Sequence, residues 1–460
     1  MLKQIMGSMM LCVAIVVMRP LYAQHTENTL GSLWPKVEKN YPGVKAKTSA
    51  IDAAKLQERA VRGDMLPQVK AQVQNTYGTY EGNAGAFFPQ PGFFNVSGTT
   101  LALEGSSMAA NSFGSATMEW ELFSFGRLRK ENEAAHTLFD KTISEKDAYL
   151  LYLKKTLSER YITLLYHDAK LDWAIKNTER LDDIRKITSG LSASGMKPAA
   201  DSLLASSSYM QAMGEHDKWY GLTRAAFVKL SELYGNDNID YKTSSDRFNT
   251  LTQNLAKRPN SINPSHPILD AWNKQSEYYT HSAEAQKRST LPSLRLLGGY
   301  AYRGTGLASN GTVSGAWKDG FNNTANNFLV GIGITWNISN LHTGRLKSEK
   351  LFKDAESSKQ LQIQYGLAMQ TDLSATQTKI HQQYKQLDKT RLAVKQSRDA
   401  YDMYLARYKS GLIALSELLQ IRSLLEQAEN AHIEASRDYW MLLAYEAELT
   451  ADFYFLFNNL

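Results

Sequence analysis

Two acidic residues occupy equivalent positions in the sequence and are the side chains best suited to act on ions. Asp201 and Glu417 are each separated from a preceding Ser-Gly pair by five residues, and a Leu stands two residues beyond each acid. The glycines, Gly195 and Gly411, predict sharp reversals between helices. Acids at the start of a return helix favour the helix dipole in any case. Acids at two hairpin tips around one opening would also attract cations, so a helix-terminal role and a pore role both stay open.

The sequence shows no constellation of residues typical of an enzyme. The histidines lack the spacing of a metal site, and His432 lies on a heptad seam, which favours a packed histidine over a metal ligand. Gly298-Gly299 lies inside a predicted strand and lacks the helix start that a phosphate-binding loop requires. We therefore expect no catalytic activity, no cofactor and no metal.

The amino terminus resembles a secretory signal peptide over residues 1–23. Lys3 supplies a basic start, residues 9–17 are apolar, and Ala23 is a small residue before the expected cleavage site. The only cysteine, Cys12, lies in this leader, so the mature chain is expected to have no disulfide and no thiol nucleophile. The net charge of +6 is small and dispersed over 460 residues, which argues against nucleic acid as a partner.

Landmarks recur in the same order in the two halves of the chain, which indicates an internal repeat. The pairs are Tyr41-Pro42 with His266-Pro267, Leu66-Pro67 with Leu291-Pro292, Gly126-Arg127-Leu128 with Gly344-Arg345-Leu346, and Gly195 with Gly411. The repeat predicts a first structural unit over 24–240 and a second over 263–460. A polar connector over 241–262 would join them.

Each unit is expected to contain a helix, two strands and a long helical hairpin. Helices are predicted over 28–64 with a break near Pro42, over 127–186 with a return to about Tyr234, over 268–289, and from Thr343 to a turn at Gly411 with a return to the chain end. The helix after Thr343 carries apolar residues seven apart at Leu373, Ile380, Leu387, Val394, Tyr401 and Tyr408. Such heptads predict long helices packed side by side.

Four segments alternate with the period of a β-strand, namely 68–80, 115–125, 294–303 and 327–338. In the second segment Glu119 and Glu121 point to one side, whereas Met118 and Trp120 point to the other. Burial of both faces would remove the two acids from water. One face in lipid and one in water would satisfy both faces, and the segments have about the length of a membrane strand.

These repeated strand pairs, long hairpins and tip motifs together resemble the TolC-like outer membrane factor family of outer membrane efflux proteins. The resemblance covers nearly the whole mature chain. It implies a mainly α-helical fold with membrane β-strands, in which three chains assemble. Each chain would contribute four strands to a 12-stranded β-barrel in the outer membrane of a Gram-negative bacterium, and its helices to a periplasmic tunnel.

The resemblance also implies a function and a set of site residues. The protein would conduct small molecules or proteins passively, within a tripartite efflux or type I secretion system. Its partners would be a periplasmic adaptor (a membrane fusion protein), an inner-membrane pump and outer-membrane lipid. The periplasmic entrance would be formed by Asp201, Glu417, Tyr408, Gly411 and Gly195, with Tyr408 packed across the closed opening.

Two positions depart from the family pattern. Ile413 stands where some members have an arginine that bonds across the closed tip, and Gln420 stands where some have a second acid ring. Both departures predict a weaker closed-state latch and weaker cation selectivity. The alternative function is that of a secreted, non-channel structural protein built of helical bundles, whose strands would form an ordinary sandwich.

Overall fold

The computed structural model of the protein describes residues 29–79, 104–105, 108–235, 248, 258–259 and 261–460. The predicted signal peptide and nearly all of the predicted connector lie outside these residues. The described helices are α1 Leu30–Asn40, α2 Pro42–Gly63, α3 Arg127–Ala193, α4 Ala199–Tyr234, α5 Pro267–Arg288, α6 Asn340–Lys409, α7 Leu415–Thr450 and α8 Tyr454–Asn459, with a 3₁₀ helix at Trp317–Phe321. The strands are β1 Gln68–Thr79, β2 Glu104–Gly105, β3 Met108–Phe123, β4 Ser293–Thr305, β5 Thr312–Val313 and β6 Ala325–Thr335.

The predicted break in the first helix is confirmed, and proline explains it. Tyr41 has extended backbone angles, and Pro42 is the first residue of α2, where its missing N–H costs little. Pro267 begins α5 in the same way. The landmarks Gly126 and Gly344 differ in structure, however. Gly126 caps α3 with a φ of 81°, whereas Gly344 lies within α6.

Four strands form one antiparallel sheet in the order β1-β3-β4-β6. All four predicted strands are present, but β3 begins at Met108, seven residues before the predicted start at residue 115. The added residues are mostly small and do not alternate, so the sequence gives no period-2 signal there. Pairing with β1, from Gln68 opposite Glu119 to Thr79 opposite Met108, extends the strand.

The sheet has one apolar face and one polar face. The strand pairings place the following apolar residues on one side: Val69, Val73, Tyr77, Met118, Trp120, Leu294, Leu296, Tyr300, Phe328, Val330, Ile332 and Ile334. Among them Val73, Phe328 and Ile334 are 91%, 86% and 75% exposed. The opposite side carries Gln72 and Gln74, and Glu119 there is paired with Arg295.

The long helices form two hairpins, α3 with α4 and α6 with α7, and α3 packs against α7. The heptad prediction for α6 is confirmed, because Leu373, Ile380, Leu387, Tyr401 and Tyr408 are all buried. An upper apolar cluster joins the middle of α3 and the end of α7 to α1 and α8. A separate lower cluster joins the four helices near the two turns. None of the described helices is both long and apolar enough to cross a membrane.

Candidate functional site

The two predicted reversals have the same backbone geometry. Gly195 and Gly411 have φ angles of 73° and 74°, in the left-handed region that glycine adopts without strain. Behind each glycine the next N–H reaches back over the turn, from Met196 to the carbonyl of Leu191 and from Leu412 to that of Arg407, both at 3.0 Å. Each long helix therefore ends in the same glycine-dependent cap, and its return helix starts from the same place.

Asp201 and Glu417 both occupy the third position of a return helix, close to the positive end of the helix dipole. The carboxylate of Glu417 is exposed and accepts the backbone N–H of Ala414 at 3.4 Å. The equivalent cap residue of α4 is Pro198, which has no N–H to donate. The carboxylate of Asp201 therefore cannot form the corresponding capping bond, and the two acids differ in how firmly the chain holds them.

Tyr408 lies between the two hairpins of one chain, where it is fully buried. Its hydroxyl lies 3.1 Å from that of Thr188 on α3, and the ammonium of Lys197 lies 5.7 Å from its ring centre. Lys197 also donates to the carbonyl of Ile413 at 3.2 Å. The heptad seam of α6 turns Tyr408 towards α3. In this structure Tyr408 joins the two tips to each other.

The two positions that depart from the family pattern have different surroundings. Ile413 is buried in the lower apolar cluster, so it supplies packing where an arginine would supply hydrogen bonds. Gln420 is exposed on α7, one turn beyond Glu417. The tips are thus held together by apolar packing, by the Thr188–Tyr408 hydroxyl pair and by Lys197.

An ion-pair cluster, consisting of Arg180, Arg398 and the buried Glu429, joins the hairpins above the tips. Arg180 of α3 donates two hydrogen bonds to the carboxylate of Glu429 on α7, at 2.7 and 3.1 Å. Arg398 of α6 donates a third at 3.0 Å. Sequence reasoning missed this cluster. The available signal was Arg398, which interrupts the apolar heptad positions of α6.

A third arginine, Arg422 on α7, lies beside this cluster. Burial lowers the pKa of Arg422, which donates to Asn177 of α3 at 3.3 Å and pairs with Glu426 at 3.3 Å. A polar layer therefore separates the two apolar clusters along the hairpins.

The contacts of His432 and Arg127 are those of a packed and of an ion-paired side chain. His432 is partly buried and its Nδ1 lies 3.0 Å from the hydroxyl of Thr390, while burial lowers its pKa, as expected for a packed histidine. No group of three potential metal ligands occurs within the described ranges. Where β3 leads into α3, Arg127 pairs with Glu121 at 2.9 Å, and this ion pair satisfies an acid on the polar face of the sheet.

Two helical hairpins extend from a four-stranded sheet that has one apolar face. The sequence matches the family model of the outer membrane efflux protein over residues 33–236 and 260–441. The chain therefore belongs to the outer membrane efflux protein family, whose members are channel proteins. This placement disfavours the secreted structural protein that the sequence left as the alternative. Comparison with curated protein sequences finds no match.

Solved outer-membrane channels share the fold at low sequence identity. The outer-membrane channel OprN matches with a TM-score of 0.73 at 16% identity, over 93% of this chain and 91% of its own. The CmeC channel of Campylobacter jejuni gives 0.71 at 14% identity, over 93% and 86%. The outer membrane protein VceC of Vibrio cholerae gives 0.72 at 13% identity, over 92% and 96%.

Proposed function

We propose that three copies of the chain form one export duct from the periplasm to the outside. The observation that carries this proposal is the exposed apolar face of a sheet whose edge strands, β1 and β6, have no strand partner on their outer sides among the described residues. Four strands are too few to enclose a pore, whereas twelve strands from three copies are enough. The apolar face would then meet lipid and the polar face would line water.

The hairpins would continue this duct into the periplasm. Helix α3 has 67 residues and α6 has 70, so each extends roughly 100 Å at about 1.5 Å per residue. The two repeats, 24–240 and 263–460, would contribute one hairpin each to the wall. Small molecules or proteins would pass through this duct passively, with no catalytic step and no cofactor.

The tips would form the periplasmic entrance, where Asp201, Glu417, Gly195 and Gly411 meet in three copies. Six carboxylates around one narrow opening repel one another and attract cations over about 8 Å at physiological salt. Exposed Leu203 and Leu412 lie beside the acids and offer apolar contacts to a partner. The partners would be a periplasmic adaptor of the membrane fusion protein class and, through it, an inner-membrane pump.

Native mass spectrometry of the protein extracted from outer membranes in detergent tests the assembly. The proposal expects a mass of three chains, whereas a detergent-independent monomer would overturn it. A photo-crosslinking residue at Leu412 tests the partner. It should capture a membrane fusion protein, and the same label at exposed Tyr220 on α4 should not.

A further inference from the structure

A short segment after β5 folds back over the apolar face of the sheet. This segment, the outer strap, comprises residues 314–321 and includes the 3₁₀ helix Trp317–Phe321. It lies at the end of the sheet farthest from the long helices, because β3 runs from this end towards α3. Between the predicted strands 294–303 and 327–338 the sequence is rich in Gly and Asn and gives no signal for a regular element.

Three contacts show which face the outer strap covers. Tyr77, on the apolar face, donates its hydroxyl to the carbonyl of Gly315 at 2.8 Å. A Cβ placed on Gly320 would lie 2.7 Å from the Cβ of Ala110, the residue paired with Tyr77. A Cβ placed on Gly304 would lie 2.7 Å from the carbonyl oxygen of Gly320. The strap therefore packs directly on the backbone of β3 and β4, on the side that carries the exposed apolar residues.

The outer strap presents aromatic rings and a positive charge to its surroundings. Trp317 and Phe321 are 57% and 49% exposed and meet edge to face, with ring centres 5.7 Å apart. The neighbouring acid, Asp319, is turned inward, where it accepts hydrogen bonds from the hydroxyl of Ser314 and the amide of Asn322. Lys318 is exposed and forms no ion pair within the described part of the chain. The strap thus offers two rings and one cation outward.

Exposed aromatic residues also stand at the other end of the apolar face. Trp336 is half-exposed and donates to the carbonyl of Thr290, and exposed Phe123 contacts Phe125 with the two rings tilted by 60°. Strand β4 has 13 residues. At about 3.3 Å each and a tilt of about 40°, such a strand rises roughly 30 Å. Aromatic residues at both ends of an apolar band of about 25 Å mark the two membrane surfaces of an outer-membrane protein.

We propose that the outer strap is a membrane-surface anchor that binds the phosphate-bearing head groups of the outer leaflet. Trp317 would lie in the interfacial layer, where rings with one polar and one apolar side are favoured. Phe321 would turn its apolar ring towards the acyl chains. Lys318 would meet lipid phosphate, which attracts basic side chains at a membrane surface. This inference rests on the proposed function, since it requires the apolar face to lie in the membrane. The outer strap is continuous with that face.

Spin labels at single cysteines test the anchor, because the only native cysteine, Cys12, lies in the predicted leader. The labelled variants Trp317→Cys, Ile332→Cys and Tyr220→Cys are reconstituted as trimers in vesicles of phosphatidylcholine with phosphatidylglycerol. Collisions with oxygen report lipid, and collisions with a water-soluble nickel complex report water. We expect the label at 332 in the hydrocarbon, the label at 220 in water and the label at 317 between them.

The outcomes separate the two proposals. A label at 332 that is as wet as the label at 220 would overturn the proposed function itself. A label at 332 in lipid with a label at 317 as wet as that at 220 would overturn the anchor alone. Adding Lys318→Glu should move the label at 317 towards water in these vesicles and leave it in place in pure phosphatidylcholine. An equal response in both vesicles would overturn the attraction of Lys318 to anionic head groups, because phosphatidylcholine carries phosphate but no net charge.

A second measurement keeps an aromatic ring at position 317, in case Trp317→Cys fails to assemble. Lipids brominated near the head group should quench part of the tryptophan fluorescence of the unmodified protein. Trp317→Phe should make that quenched part smaller. An unchanged quenched share would contradict the anchor, because it would show that Trp317 does not touch lipid.

Discussion

Glu429 on α7 and Arg180 on α3 form a two-bond ion pair that joins the two helical hairpins of the chain. The carboxylate side chain is 8% exposed and the guanidinium side chain 16%, so water contributes little to either charge. Along α3 the pair lies between Ala174 of the upper apolar cluster and Leu181 of the lower one. It is therefore placed to hold the hairpins in register just above the tips.

Neutralising this carboxylate should destabilise the protein strongly. Glu429→Gln leaves the largely buried guanidinium group of Arg180 without its counter-charge, and breaking a buried pair costs about 3–5 kcal/mol. The free energy of unfolding in detergent checks this. The matched control is Asp388→Asn, which breaks a pair with Arg391 whose side chains are 62% and 65% exposed. That change should cost no more than about 1 kcal/mol. Equal losses in both variants would contradict the structural role of the cluster.

The two faces of β6 should respond differently to charge. Arg at Ile332 would place a guanidinium on the exposed apolar face, at a cost of about 2–4 kcal/mol near the bilayer centre. Arg at Gly331 or Thr335 points to the opposite face, where Gly331 has open space beside it. We expect Ile332→Arg to abolish assembly in the outer membrane, and Gly331→Arg and Thr335→Arg to be milder. Trimer yield from outer-membrane fractions measures this, and equal tolerance at all three positions would refute the assignment of the faces.

Most of the secondary structure could be predicted from the sequence, because long regular elements carry a strong period. Heptads placed Leu373 through Tyr408 on the buried side of α6, and alternation placed Phe328 through Ile334 on one face of β6. Proline and glycine located the ends of elements at Pro42, Gly195 and Gly411. Each of these signals is local, so it survives without knowledge of the tertiary structure.

His266 should make stability depend on pH near neutrality. The side chain is fully buried, its Nε2 lies 3.1 Å from the carbonyl of Glu448, and burial lowers the pKa of His266 below its usual value. The unfolded chain therefore binds a proton more readily than the folded chain. This residue's contribution is complete above about pH 6.5 and is lost as pH falls towards the lowered pKa, by at most about 1.4 kcal/mol per pH unit.

Unfolding measured between pH 7.5 and pH 5 in His266→Gln checks this contribution. The variant should lose less stability over that range than the unmodified protein does. A slope that is the same in His266→Gln and in the unmodified protein would show that His266 does not titrate as inferred.

The tertiary contacts of the site could not be predicted from the sequence. The hydroxyl of Tyr408 lies against that of Thr188, 220 positions earlier in the chain. The ion pair of Arg180 with Glu429 spans 249 positions. The position of the outer strap follows from the close approach of Gly320 to Ala110 and Gly304. Contacts of this kind depend on how hairpins and strands align, which no local period records.

Neutralising the two tip acids should weaken the cation preference of the channel. Asp201→Asn and Glu417→Gln change charge while keeping a side chain of similar size at the third position of each return helix. The exposed residue Asp388, on α6 away from the tips, supplies the matched control Asp388→Asn. Unchanged selectivity in the double variant would leave these acids with a helix-terminal role only.

Single-channel recording in a planar bilayer tests the account most directly, because it asks whether the purified trimer conducts at all. We expect discrete ion-conducting steps with a reversal potential that favours cations under a salt gradient. The double variant Asp201→Asn, Glu417→Gln should shift that potential towards zero, and Asp388→Asn should leave it in place. A correctly assembled trimer that inserts into the bilayer and passes no current would contradict the proposed duct.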